Sequence, residues 1–276
     1  MYKGFNLEVN DSSSFLSPTD NYSSILSEQN KSIKTSLEDL YFKDGTIDAV
    51  KLQEAWFPSI DGVHVFISHA HTDIEIAERL ACWLYNNFKI KSFIDSHVWG
   101  HANDLLRKID NKYAKYPSGT SYDYEIRNQT TSNVHMLLSS ALNTMMDKCE
   151  ALFFINSEKS ISKLGLVDRA DEDRTLSPWI MSELATSKII EKKQAISTRK
   201  SNLVKAAYDG MESMSESLGI NREMPEFKVS HKVSLEHLHN IQEIDLILWA
   251  LVNSGRKGYD SLTILYNRNA GANFKI

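Results

Sequence analysis

Apolar and polar positions change their rhythm near residue 62. Val63 to Ile67 is a short apolar, β-branched run that suits a central strand, and it stops at Ser68-His69-Ala70-His71-Thr72-Asp73. Thr72-x-x-Glu75 has the form of a capping box, and Ile76, Leu80, Leu84 and Phe88 follow at helical spacing. Lys91 to Ile94 reads as a second strand, ending at Asp95-Ser96. Helical stretches then surround Leu105, Leu106 and Ile109, and run from Val134 to Met146, on either side of a Tyr/Pro/Gly/Ser loop from Tyr113 to Tyr124. Ala151 to Ile155 is a third, strongly apolar strand that leads to Asn156-Ser157. After a charged loop, Asp168 to Arg174, Ser177 is a helix N-cap and Pro178 suits the first helical position. Trp179 and Glu183 lie four residues apart and so share one face of that helix. Phe227 to Val233 alternates like a strand near a sheet edge, and Ile241 to Val252 has the pattern of an amphipathic helix. Alternating strands and helices predict an α/β fold with a doubly wound parallel sheet over residues 61–276, interrupted by insertions near 110–133 and 199–226. Strands that end in polar loops beside a Trp/Glu helix start place a site at the carboxyl edge of that sheet.

Residues 1–60 read differently. Positions 11 to 36 contain nine serines and little that a core could bury, which predicts a partly mobile N-terminal extension whose first 36 residues contribute little stability. A short helix from Ile47 to Trp56, closed by Phe57-Pro58, ends this region.

Bulk properties narrow the class. A hydrophobic content of 42% and a charged content of 24% are ordinary for a globular protein of 276 residues. A formal charge of −5 gives no support for nucleic-acid binding, and pairs such as Lys192-Lys193 read as solvated faces. Cys82 and Cys149 form no spaced motif and read as buried thiols. The most apolar late segment, Leu246 to Val252, is far shorter than the roughly 20 residues a spanning helix needs. The expectation is a cytoplasmic protein with neither nucleic acid nor membrane as partner.

Taken in order, Val-Phe-Ile-Ser-His at 65–69, Phe-Ile-Asp-Ser at 93–96 and Trp-x-x-x-Glu at 179–183 resemble a Toll/interleukin-1 receptor (TIR) domain over about residues 62–250. The resemblance implies a flavodoxin-like fold and, as in many bacterial members, cleavage of NAD as substrate without a further cofactor or metal. It implies that Glu183 is the catalytic carboxylate. Ser68, His69, Ala70 and His71 would form the loop after the first strand, Asp95, Ser96 and Trp99 the start of the so-called BB loop, and Trp179 the aromatic one turn before the glutamate. It further implies TIR–TIR self-association and antiphage signalling of the Thoeris type, with a nucleotide product acting on a downstream effector. The chain departs from the family in having Ala70 and His71 where arginines often stand, and in a long span between its second and third strands.

One carboxylate suffices for that chemistry. The nicotinamide of NAD is a cationic leaving group that departs neutral, so no general acid is needed. The developing positive charge on the ribose is what requires stabilisation. An aromatic such as Trp179 or Trp99 can pack on the nicotinamide ring. Spacing alone reads Glu183 as a solvated helix glutamate and Trp179 as a core residue, and leaves Asp95 open between a turn cap and a ligand contact. A non-catalytic TIR assembly module is the alternative from another class. A third reading comes from His69-x-His71-x-Asp73, which resembles the opening of a metallo-β-lactamase zinc site, with His135, His231, His237 and His239 as later ligands. Ile74 stands where that signature has another histidine.

Overall fold

The computed structural model describes residues 1–9, 40, 46–161, 172–193, 195 and 229–268; the side chains of 98–101 lie outside this description. The expected Ser-rich tract at 11–36 and the insertion at 199–226 therefore fall outside the described residues. Seven strands are present among those described: β1 (Lys3–Glu8), β2 (Val65–Ser68), β3 (Ser92–Ile94), β4 (Ala151–Asn156), β5 (Arg174–Thr175), β6 (His231–Lys232) and β7 (His239–Ile241). The helices are α1 (Ala49–Trp56), α2 (Ile74–Phe88), α3 (Ser96–Tyr113), α4 (Tyr124–Lys148), α5 (Pro178–Ile189), α6 (Glu243–Val252) and α7 (Tyr259–Arg268).

Five strands form one parallel sheet in the order β3-β2-β4-β1-β7. Its side chains alternate between two helical layers, as the pleat requires. Val65 and Ile67 of β2, Phe153 and Ile155 of β4, and Phe5 and Leu7 of β1 pack with Leu80, Leu84 and Phe88 of α2, Trp249 of α6 and Leu262 and Leu265 of α7. Phe66, Leu152 and Phe154 point the other way, against Trp56 of α1, Leu105 of α3, Leu138 and Leu142 of α4, and Ile180 and Leu184 of α5. Burial on both faces explains why β2 and β4 are continuous apolar runs rather than alternating ones. The α/β doubly wound sheet is thus as expected, consistent with a flavodoxin-like fold.

The N-terminus departs from expectation. Residues 1–60 were assigned to an extension, yet β1 lies inside the sheet, paired with β4 from Lys3↔Ala151 to Glu8↔Asn156 and with β7 from Phe5↔His239 to Leu7↔Ile241. Leu52, Trp56 and Phe57 of the same region are also buried in the core. The Thr72-x-x-Glu75 capping box is likewise absent. Residues His71–Asp73 form a 3-10 turn, α2 begins at Ile74 with no side-chain cap, and the Asp73 carboxylate is buried elsewhere. The segment near 110–133, expected as an insertion, consists of the end of α3, a tight turn closed by the Lys115–Tyr122 bridge, and the start of α4. Of the expected strand at 227–233, residues 227 and 228 lie outside the described residues, and among the rest only His231–Lys232 is strand. It pairs antiparallel with Arg174–Thr175, apart from the main sheet.

One histidine makes the fold acid-sensitive. His64, just before β2, accepts the Lys91 backbone N–H on Nδ1 (3.0 Å), and its ring packs on Tyr259 with centroids 4.4 Å apart. Burial first, and then the Lys91 charge, push it down from 6.5 to about 4. The unfolded chain binds this proton more readily, so the contribution of His64 is complete above pH 6.5 and declines as pH falls towards about 4. His135, His237 and His239 are also lowered, chiefly by burial, and act in the same direction. Thermal midpoints measured from pH 7 to pH 4 are therefore expected to fall, with a shallower decline in His64→Gln; parallel curves for the two proteins would contradict the assignment.

Candidate functional site

The connection β2–α2–β3 covers one face of the sheet, and β3–α3–α4–β4 covers the other. Loops leaving the carboxyl ends of β2 and its neighbours therefore diverge at β2, where open α/β sheets place ligand crevices. Ser68 ends β2, and Asp95 follows the last residue of β3. The helix α5 brings a third group to the same place. Ser177 caps it by accepting the Ile180 N–H (3.3 Å), Pro178 opens it, and Glu183 falls on its buried side with Ile180, Leu184 and Ser187.

These groups meet. The Ser68 hydroxyl donates to Glu183 Oε2 at 2.5 Å, and both residues are buried. Asp95 lies against Glu183 on one side, while its Oδ1 is 3.0 Å from His69 Nδ1 on the other. The side chain of His69 is fully enclosed, and its Nε2 has no hydrogen-bond partner among the described residues. Burial, and then the neighbouring Asp95 carboxyl, hold Glu183 well above the usual carboxylate range; the Ser68 hydroxyl pulls in the opposite direction. The reading of Glu183 as a solvated helix glutamate is excluded by its 2% exposure. Asp95 does not cap α3 through its side chain either.

The remaining expected residues are distributed around this centre. Ala70 is buried, and its carbonyl accepts the Asp73 N–H at 2.7 Å, closing the turn after β2. His71 is exposed. Ser96 starts α3 with an enclosed hydroxyl. Trp99, expected in a loop, has helical backbone within α3, and its side chain lies outside the described residues. Trp179 is half-buried, packs on the core layer of α4 and α5, and meets His135 edge-on with centroids 6.0 Å apart.

A second polar knot went unanticipated. Asp73 accepts from the Ser157 hydroxyl at 2.5 Å and pairs with Lys159 Nζ at 3.3 Å, while Ser157 N–H donates to Ser160 Oγ at 2.9 Å. It ties the loop after β2 to the loop after β4. The polar residues that follow both strands, Asp73 at the end of the turn after β2 and Ser157 directly after β4, were the available signal.

The zinc reading is not assembled. His69 turns towards Asp95, His71 is exposed, and Asp73 turns towards Ser157 and Lys159. Of the later candidates, His237 bonds Ser187 (2.7 Å) and His135 meets Trp179. Among the described residues no group of three or more His, Cys, Asp or Glu is arranged to hold a metal ion. Nor, among those residues, is any helix long and apolar enough to cross a membrane. Comparison with protein-family models, with curated proteins and with solved structures finds no match to this chain.

Proposed function

We propose that this protein is a TIR-like enzyme that cleaves the nicotinamide–ribosyl bond of NAD. The observation that carries the reading is the position of Glu183: the buried first turns of α5 set it against Ser68 at the carboxyl edge of a parallel sheet, beside the diverging loops. A carboxylate there would face the ribose as positive charge develops on C1, with nicotinamide leaving as a neutral molecule. Ser68 would hold the carboxylate in place, and Trp179, one turn earlier, would flank the nicotinamide. The products are nicotinamide with ADP-ribose, a cyclic isomer or an ADP-ribose conjugate. The biological role is nucleotide signalling in antiphage defence, in the cytoplasm and through self-associated copies.

Because Glu183 is enclosed, turnover requires the site to open to admit a dinucleotide. The same enclosure favours a second reading, in which Glu183 is a structural tie between α5, β2 and β3 in a non-catalytic assembly module. Mass spectrometry of NAD incubated with pure protein, with and without lysate of infected cells, separates the two. Nicotinamide above the no-protein control is expected, and its absence under both conditions would leave the assembly module standing.

A further inference from the structure

The contact between Glu183 and Asp95 poses a hydrogen-bonding problem that its surroundings do not solve. Glu183 is 2% exposed and Asp95 5% exposed, and the two carboxyls are within hydrogen-bonding reach of each other. Among the described residues, Glu183 Oε1 finds no donor, and Asp95 Oδ1 has only His69 Nδ1 at 3.0 Å, without the alignment of a good hydrogen bond. Ser68 and His69, from the end of β2, lie against the pair, the first on Glu183 and the second on Asp95. Among the described residues, no lysine or arginine forms an ion pair with either carboxyl. Two ionised carboxylates in contact, with no cation to offset them, are strongly disfavoured inside a protein. A proton on one carboxyl turns the clash into a hydrogen bond, as in other paired-carboxyl sites.

We propose that Asp95, backed by His69, is the positioning residue for Glu183: it accepts a hydrogen bond from the protonated Glu183 carboxyl and holds it in place until a cationic ligand enters and the proton leaves to solvent. The pair rests on the contact between two buried carboxyls, each also held from the end of β2; the entry of a cation rests on the reading of the site as one for the nicotinamide cation. In this arrangement Asp95 keeps a second buried negative charge from forming beside its own. An arriving positive ring then supplies the missing counter-charge, and Glu183 becomes the carboxylate that bond cleavage requires. The site selects for a cation through the proton it must give up.

The full-length protein, labelled with 13C at glutamate carboxyl carbons, tests this directly. The Glu183 resonance is identified by its loss in Glu183→Gln, and its titration is followed by NMR. Asp95→Asn removes a charge while keeping the shape, and is expected to move the Glu183 titration down by at least one pH unit, tenfold in the ionisation constant. Ser68→Ala removes the donor to Oε2 and is expected to move it up. A purely structural tie would leave the titration in place in Asp95→Asn. That result, or a shift of both variants in the same direction, overturns the positioning role; should Asp95→Asn fail to fold, an unshifted or lowered titration in Ser68→Ala overturns it alone. Saturating 1-methylnicotinamide, methylated on the ring nitrogen and so a permanent cation, is expected to lower the wild-type titration, whereas neutral nicotinamide leaves it unchanged. An equal response to both overturns the cation step. Nicotinamide release from NAD is scored separately, so a failure of the enzymatic reading is distinguishable from a failure of the carboxyl pair.

Discussion

Glu183→Gln is expected to lower nicotinamide release from NAD by roughly 100-fold or more, the scale seen when one preorganised electrostatic group is removed from an active site. Glutamine keeps the side-chain length and can still accept from the Ser68 hydroxyl, whose distance to Glu183 Oε2 is 2.5 Å. It cannot become an anion facing the ribose. Stability should follow a different course. Burial and Asp95 favour the protonated form of Glu183, so replacing it with a neutral amide costs little buried charge and leaves Asp95 a donor in place of the carboxyl proton. The variant should therefore melt near the wild-type temperature while losing turnover, and a rate equal to wild type in a fully folded sample would remove Glu183 from the mechanism.

The parts of this site that could be read from the chain are those encoded locally. Ser177-Pro178 announces a helix start, and Trp179 and Glu183 follow on it by spacing alone; the structure places that start where it was expected. The apolar runs Val63 to Ile67, Lys91 to Ile94 and Ala151 to Ile155 match β2, β3 and β4 to within two residues at either end, and the ends of the first two bring Ser68 and Asp95 to Glu183 of α5. What the sequence could not show is which polar group meets which. Thr72-x-x-Glu75 looked like a cap because capping is a local pattern, whereas Asp73 is bound by Ser157 and Lys159, more than eighty residues away. The pairing of His69 with Asp95 likewise depends on the β2–β3 register, and no periodicity encodes it. Trp99 illustrates the converse error. The TIR resemblance puts it at the start of a loop, but Ser96 to Tyr113 is continuous helix.

The N-terminal strand is the largest misreading, and it yields the strongest expectation about stability. Lys-Gly-Phe-Asn-Leu-Glu is only six residues long, carries charge at both ends, and precedes a long polar tract, so composition argued against a core role. Its partners are almost 150 and more than 230 residues downstream, in β4 and β7. In the folded chain Phe5 and Leu7 are fully buried, and Phe5 lies 5.1 Å from the Phe153 ring and 6.1 Å from that of Tyr266. Gly4 fits because Leu238 occupies the space above it; a Cβ there would stand 2.4 Å from Leu238 Cδ2. Asn6 adds a side-chain bond to Asn240 at 2.9 Å. Phe5→Ala should cost about 3–5 kcal/mol, the range for truncating a core aromatic. Deleting residues 1–9 removes both ladders of β1 at once, strands β7 without its partner in the sheet, and exposes the apolar flank of β4. Folded domains are stable by only about 5–15 kcal/mol, so the deletion should leave no cooperative fold. Circular dichroism and thermal melts of the two variants beside the full chain measure this. A deletion variant that melts cooperatively near the wild-type temperature would mean that β4 and β7 can close the sheet directly, with β1 as an insertable strand rather than part of its frame.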